Sequence, residues 1–300
     1  MSAARPRLTI GVPVYNGEKY LEAALGSIVA QDFDGLEIVV SDNSSTDRTE
    51  AICRRFASED SRLRYVRHDQ NRGGVWNVNY LVNVARGELF KWGYYDDVLF
   101  PGYVEACLDA LPQGDPSVVA VHTRVVVVGP EGNVIEGRED RKLGLDAPTA
   151  HERLSSLYRR LANQLEFGII RTESLRRAGG IRPFIGSEMA LLTRILAEGR
   201  AVQVDEPLLA VRRHPDQYGA SRFTEGAWYS HERQRGWALP FTWLNLELLR
   251  AVMSCDLERE EAAQCLVSVV RDWSLPRWRT VAGDFKYLPR TLRTGRLREK

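Results

Sequence analysis

Leu8-Thr9-Ile10-Gly11-Val12, running into Pro13-Val14-Tyr15-Asn16-Gly17, decides the reading of the fold. The first five residues form a short apolar run of the kind buried in a parallel sheet, and the next five form a turn. Acidic Glu18 follows in a first helical turn, and Tyr20, Leu21, Ala24, Leu25, Ile28 and Val29 then keep helical spacing. A second apolar run, Leu36 to Val40, ends in Ser41-Asp42-Asn43-Ser44-Ser45-Thr46-Asp47. That loop is rich in groups that cap a helix, expected from about Thr46 to Phe56. Leu63 to Val66 predicts a third strand, Asn71 to Gly74 a turn, and Val75 to Ala85 a helix. Gly87-Glu88 leads into a fourth strand through Trp92, beyond which stand Asp96-Asp97. Alternation of this kind through about Pro112 predicts a doubly wound α/β sheet.

Beyond Pro112 the pattern changes. Val118 to Val128 is a long β-branched run closed by Gly129-Pro130-Glu131-Gly132-Asn133, which predicts a strand and a hairpin return. A helix is expected over Pro148 to Leu161, a short strand over Phe167 to Arg171, and a helix over Glu188 to Glu198. Val202-Gln203-Val204 begins one more strand. After about Phe223 the chain reads as helical and rich in tryptophan. The expected organisation is one domain over 1–222, with halves of about 7–112 and 113–222, and a helical subdomain over 223–300.

A net charge of +1 gives no global field for nucleic acid. The last thirty residues differ: nine Lys or Arg, among them Arg277, Arg279 and Lys286, face three acids, a local charge of +6. With Trp273, Trp278 and Phe285 beside them, this tail reads either as a solvated helical surface or as one resting on anionic lipid. Cys53, Cys107, Cys255 and Cys265 have no metal or disulfide spacing and read as reduced thiols. The start of the chain carries no apolar signal core, and no run is long enough to span a bilayer. The expected location is cytoplasmic, with peripheral contact on the inner membrane face as the tail's second reading.

In such a sheet, ligands bind outside the carboxyl ends of the strands. Asp42, past the second strand, reads either as a helix cap or as an acceptor for the N3–H of uracil or thymine, with Tyr15 placed to cover the base. Adjacent Asp96 and Asp97 are costly to place together without a cation or solvent between them. Their hard oxygens suit Mg²⁺ or Mn²⁺; the plain alternative is a solvated turn before a helix at Pro101.

In order, LTIGVPVYN (8–16), DNSSTD (42–47), NRGGVWNVN (71–79), Gly87-Glu88 and Asp96-Asp97 resemble the nucleotide-binding half of family-two glycosyltransferases with the GT-A fold. The resemblance covers roughly residues 7 to 222. It implies a three-layer α/β/α domain with a mixed, mostly parallel sheet and a small helical C-terminal subdomain. It also implies a nucleotide diphosphate-sugar donor met by Pro13, Tyr15, Asn16, Glu18, Asp42, Asn71, Gly73, Asn79, Tyr95, Asp96 and Asp97. The family's Asp-x-Asp is broken here, because Tyr94 takes the first position and Asp96 the later, metal-binding one. Gly186-Ser187-Glu188 resembles the Glu-Asp start of the helix that carries the general base. Ser187 replaces the first acid, and Glu188 falls on the base position. Arg212-Arg213-His214 resembles the segment that closes over the donor phosphates, with His214 a metal ligand and the arginines on the diphosphate. The implied activity is inverting transfer from a UDP- or dTDP-linked sugar to an acceptor hydroxyl, in surface glycan or natural-product glycosylation.

Two rivals stand beside this reading. A sugar-phosphate nucleotidyltransferase would show a Gly-rich basic loop after the first strand, which PVYNGEKY lacks. A non-catalytic sugar-nucleotide or glycan-binding protein would account for Tyr94 and Ser187. A missing GxGxxG after the first strand speaks against a Rossmann dehydrogenase.

Overall fold

A computed structural model describes residues 5–112, 115–137, 143–161, 163–215 and 239–294. Its centre is β1 (Leu8–Val14), in which all seven residues are buried. Both edges of β1 are occupied by parallel partners. On one side lies β2 (Leu36–Asp42), in register from Leu8 opposite Leu36 to Val14 opposite Asp42. On the other lies β4 (Leu89–Trp92), with Leu8 opposite Leu89 and Gly11 opposite Trp92. β3 (Leu63–Arg67) extends the sheet beyond β2. Three parallel strands that begin in register also end on one edge, so their following loops collect there.

The second half completes the same sheet with β5 (Val98–Leu99), β6 (Val118–Val128), β8 (Ile169–Arg171) and β9 (Arg200–Arg212), in the order β3-β2-β1-β4-β8-β6-β9-β5. β8 (Ile169–Arg171) is a short antiparallel bridge between β4 and β6 (Val118–Val128). β9 (Arg200–Arg212) runs parallel to β6 along nearly its whole length, and β7 (Val134–Gly137) returns from the hairpin. The antiparallel ladders are short and the parallel ones long, as the mixed, mostly parallel sheet requires. β9 continues well past the Val202–Val204 run that predicted its start. Thr123 pairs with Val204 but Arg124 with Pro207, so two extra residues of β9 bulge outward just before the proline. Proline has no N–H to give a ladder, and a bulge is where a strand tolerates one. β5 (Val98–Leu99) is two residues long and pairs β9 antiparallel; no periodicity reveals so short a strand.

Two apolar layers cover the sheet. Ile10, Val12, Ile38 and Val40 meet α1 (Leu21–Val29), α2 (Thr49–Glu59) and α4 (Tyr103–Asp109) through Leu25, Ile28, Phe56 and Tyr103. On the opposite face Val39, Phe90 and Trp92 meet α3 (Gly74–Val84), α5 (Ala150–Arg160) and α7 (Ser187–Glu198). The alternation of Ile38, Val39 and Val40 between these layers is the two-residue period of a strand. Each such side chain contributes about 1.5–3 kcal/mol by leaving water. Short α6 (Thr172–Arg177), which no sequence signal marked, follows β8.

α8 (Pro240–Met253), α9 (Arg259–Ser268) and α10 (Trp278–Thr294) make up the helical end. Leu248, Val252, Cys265, Val269 and Trp273 join the same apolar layer as α5 and α7. The expected boundary near residue 222, together with Trp228 and Trp237, lies outside the described residues. Leu275, Trp278 and Phe285 stay largely exposed, with the Arg279 guanidinium over the Trp278 ring. Among the described residues no helix is long and apolar enough to cross a membrane.

Glycine at 87 has a steric cause. A Cβ there would lie 2.5 Å from the Thr9 nitrogen and 2.7 Å from the Leu89 oxygen. The space is that tight because the Gly87 N–H donates to Thr9 Oγ1 (2.8 Å), which in turn donates to Glu37 Oε2 (2.7 Å). Arg86 closes the network through its N–H and Nε, at 3.0 and 2.6 Å from the Glu37 carboxylate. Burial raises the Glu37 carboxyl, but the hydrogen bonds from Thr9 and Arg86 and the Arg86 charge outweigh it, and the net shift is downward. Gly87→Ala is expected to cost about 1–3 kcal/mol by overpacking, read from denaturant melts. A carboxyl depressed on folding stabilises above its unfolded value and loses that contribution as pH falls through its lower folded value. Glu37→Gln should therefore be less stable than the parent at pH 7, with the gap closing below about pH 4. A gap independent of pH would refute this account of Glu37.

Candidate active site

The loops after β1 and β2 are sewn together by short polar side chains. Asn16, held at a positive φ of 51°, accepts the Thr46 N–H on Oδ1 (2.8 Å) and donates its own N–H to Ser45 Oγ (2.9 Å). The Gly17 N–H donates to Thr49 Oγ1 and the Glu18 N–H to Asp47 Oδ2, while Glu18 pairs with Arg48 at 3.2 Å. Asn43 adds the third loop: its Nδ2 donates to Asn71 Oδ1 (2.9 Å) and to the Gly73 carbonyl (3.1 Å), and its Oδ1 accepts the Arg72 N–H. Gly73 can take its place because glycine tolerates φ of 86°. Pro13 is buried within β1, and Tyr15, 45% exposed, stands at the rim of this floor.

The end of β4 opens onto acids. Asp96 Oδ2 lies 3.0 Å from His214 Nε2, with the two side chains 14% and 2% exposed. Asp97 is buried, and its Oδ1 accepts the Arg212 N–H at 3.0 Å. Burial first, then the Asp96 charge, pushes the Asp97 carboxyl well up. Tyr20, from the turn after β1, bridges the two halves: its ring packs at 4.8 Å from that of His214 and carries the Arg212 guanidinium over its face at 4.7 Å. Tyr95 lies against Gly17, where a Cβ would come within 2.9 Å of its ring.

Tyr94, standing where the family carries its first motif acid, reports how these groups converge. Its ring packs edge-on to Phe167 at 5.5 Å. Its hydroxyl is driven far up, first by burial and then by the charges of Glu166, Asp97, Glu188 and Asp96. Four carboxylates from three separate stretches of chain thus act on one phenol. Glu188 is the second residue of α7, at a helix end that favours an anion. Ser187 is buried at the helix start. Lys91 is the buried cation of the region; its Nζ donates to the Phe167 carbonyl, and burial lowers it to about 8 against the pull of Asp97.

Three residues expected at the donor are engaged within the protein. Asp42 is fully buried and takes the capping side of its two readings. It accepts the Ser45 N–H (2.8 Å), Tyr65 Oη (2.6 Å) and Arg67 Nη1 (3.1 Å), and so holds the loop and Arg67 in place. Asn79 spends its amide on the Ile181 backbone, donating to the carbonyl and accepting the N–H at 2.7 and 2.9 Å. Arg212 turns its guanidinium to the carbonyls of Asp96, Gly129 and Pro130, at 3.0–3.1 Å, and braces the acidic loop. Arg213 beside it is exposed. Sequence reasoning missed Tyr20, Asn43, Lys91 and Glu166. A charged residue inside an apolar strand was the available sign for Lys91, and Glu166 had none.

Among the described residues no group of three or more His, Cys, Asp or Glu side chains forms a metal cage. The Asp96–His214 pair still fits a divalent cation. Two cis ligands on an octahedral ion with bonds near 2.1 Å lie about 3 Å apart, and Mg²⁺-type sites take one or two protein ligands plus substrate phosphates.

The profile described as "Glycosyl transferase family 2" matches residues 9–184, more than half of the chain. The glycosyltransferase GlyG of Streptococcus pneumoniae is 33% identical over 113 residues, 37% of each protein. A GalNAc(5)-diNAcBac-PP-undecaprenol β-1,3-glucosyltransferase of Campylobacter jejuni is 26% identical over 194 residues, 64% of this chain and 60% of that one. The chain therefore spans a little over a third to three fifths of these relatives. S. aureus TarS 1–349 in complex with UDP-GlcNAc superposes with a TM-score of 0.65 at 19% identity, over 88% of this chain and 71% of that one. A mannosyltransferase from Pyrobaculum calidifontis, in complex with GDP-Man and Mn²⁺, does so with a TM-score of 0.58 at 19% identity, over 98% and 77%. The architecture is the GT-A fold, and the chain belongs to glycosyltransferase family 2.

Proposed function

We propose that the chain transfers a glycosyl group from a nucleotide diphosphate sugar to an acceptor hydroxyl by a single displacement with inversion, Glu188 taking the acceptor proton. The observation that carries this reading is the Asp96–His214 pair, 3.0 Å apart beyond the end of β4, with Asp97 and Glu188 acting on the same Tyr94 phenol. In the balanced step, the acceptor oxygen bonds to the anomeric carbon as that carbon's bond to the diphosphate breaks. The acceptor proton passes to the Glu188 carboxylate, and the nucleoside diphosphate leaves. Asp96 and His214 would hold the divalent cation, which supplies charge to offset that developing on the leaving diphosphate.

The remaining residues prepare that step. Tyr15 covers the base from the rim, and buried Asp42 acts through Arg67 and the Ser45 turn on which the base would rest. Asn16, Glu18, Asn43, Asn71 and Gly73 hold the three loops in one arrangement before the donor arrives. Arg212 and Lys91 limit the repulsion between acids that a cation would otherwise have to offset alone. UDP- or dTDP-linked sugars remain the proposed donors. The UDP-GlcNAc and GDP-Man complexes of the structural neighbours support the nucleotide diphosphate class. At the helical end, exposed Leu275, Trp278 and Phe285 beside Arg279 support a resting surface on anionic lipid, which suits a lipid-carried acceptor such as that named for the Campylobacter relative.

Nucleoside diphosphates with Mn²⁺ should raise the melting temperature, and Asp96→Ala should remove the Mn²⁺-dependent part. Glu188→Gln should keep that donor-induced rise while turnover falls roughly 10²–10⁴-fold. A Glu188→Gln enzyme working at the parent rate would exclude Glu188 as the base. Vesicles containing phosphatidylglycerol should sediment the parent, and Trp278→Ser with Phe285→Ser should reduce the bound fraction. Equal binding to neutral vesicles would refute the lipid surface.

A further inference from the structure

One aromatic ring supports both members of the Asp96–His214 pair. Tyr20, the residue before α1, is 8% exposed, and its ring lies 4.8 Å from the His214 ring at a tilt of 48°. That separation falls within the range of about 4.5–7 Å in which aromatic pairs attract. The contact is made between rings, and His214 Nε2 stays on Asp96 Oδ2 at 3.0 Å. The same Tyr20 ring carries the Arg212 guanidinium at 4.7 Å. Arg212 in turn grips the loop after β4: its Nε donates to the Asp96 carbonyl and its N–H to Asp97 Oδ1, both at 3.0 Å. Tyr20 thus touches His214 directly and reaches the Asp96 backbone through a single intermediary.

The ring stands on a turn with little slack. The Tyr20 N–H donates to the Gly17 carbonyl at 3.1 Å, and the Gly17 N–H donates to Thr49 Oγ1 of α2 at 2.9 Å. A Cβ at Gly17 would come within 2.6 Å of Val14 Cγ2 and 2.9 Å of the Tyr95 ring. Asn16 and Glu18, on either side of Gly17, are bonded to the loop after β2. The phenol oxygen contributes to none of this. It is buried and has no hydrogen-bond partner among the described residues, so the position is used through its ring.

We propose that Tyr20 is a positioning residue for the cation site. Its ring holds the His214 imidazole against Asp96, and the Arg212 guanidinium on that ring holds the Asp96 loop. The inference rests on the reading of Asp96 and His214 as the cation's ligands. A ligand group fixed before the ion arrives need not be ordered when the ion binds. Neighbours that orient metal ligands are accordingly worth about 10–100-fold in metal affinity.

Mn²⁺ binding to the full chain, followed by the electron paramagnetic resonance of the free ion with and without UDP, tests this. Tyr20→Met keeps bulk but no aromatic ring, and should weaken Mn²⁺ binding roughly tenfold or more. Tyr20→Phe removes only an unpartnered hydroxyl; it should bind Mn²⁺ within about threefold of the parent and be no less stable in denaturant melts. In the metal-free protein, the imidazole protons of His214, assigned with His214→Gln, should be displaced in the NMR spectrum by the ring current of residue 20. The displacement should persist in Tyr20→Phe and vanish in Tyr20→Met. Undisplaced His214 protons in the parent would overturn the proposal even if Tyr20→Met fails to fold. Equal losses of Mn²⁺ affinity in Tyr20→Phe and Tyr20→Met would overturn it as well. Asp96→Ala separates the two levels of the argument. Parental Mn²⁺ affinity in that variant, or no Mn²⁺ binding by the parent, removes the cation site underneath. Affinity lost in Asp96→Ala but kept in a folded Tyr20→Met removes the role of Tyr20 alone.

Discussion

Parallel pairing of β1 with both β2 and β4 is the constraint on which the rest of this molecule depends. Leu8 sits opposite Leu36 on one side and Leu89 on the other, so three strands start level and finish on one edge. The polar loops that follow them have one place to go. Asn16, Asn43 and Asn71 then lock those loops to one another with side-chain hydrogen bonds, leaving little of the floor to be ordered by a ligand. Preorganisation of this kind moves the entropy of ordering from binding into folding.

The same edge gathers negative charge. Asp96, Asp97, Glu166 and Glu188 all act on Tyr94, and burial raises the cost of ionising Asp97 and Glu166. Stability alone would favour apolar groups in these positions. The chain answers with a buried lysine, an arginine backbone N–H on Asp97, and a phenol where the family's first motif acid would add a further anion. Replacement of that acid by Tyr94 thus reduces local charge while Asp96 and His214 remain paired at 3.0 Å.

Several polar residues contribute by holding neighbours in place. Asp42 accepts three hydrogen bonds while fully buried, Asn79 clamps the Ile181 backbone, and Arg212 caps carbonyls of the acidic loop and of the β6–β7 hairpin. A motif residue's type and order therefore mark its neighbourhood, while its partner decides whether it touches a ligand or braces one that does.

Local chemistry made the first half legible. The apolar runs at Leu8–Val12 and Leu36–Val40, the helical spacing between them and the acids after Trp92 follow from periods of two and 3.6 residues, which neighbours a few positions apart encode. Order of motifs supplied the family. The tertiary structure alone decided which distant groups meet: His214 reaches Asp96 across 118 positions, and Lys91 reaches the turn carrying Glu166 across 76. It alone buried Asp42 and Lys91, extended β9 through Pro207, and inserted β8 beside β4. Burial and charge proximity depend on chain segments far apart in sequence, so no local pattern can announce them, and they determine which acids stay ionised.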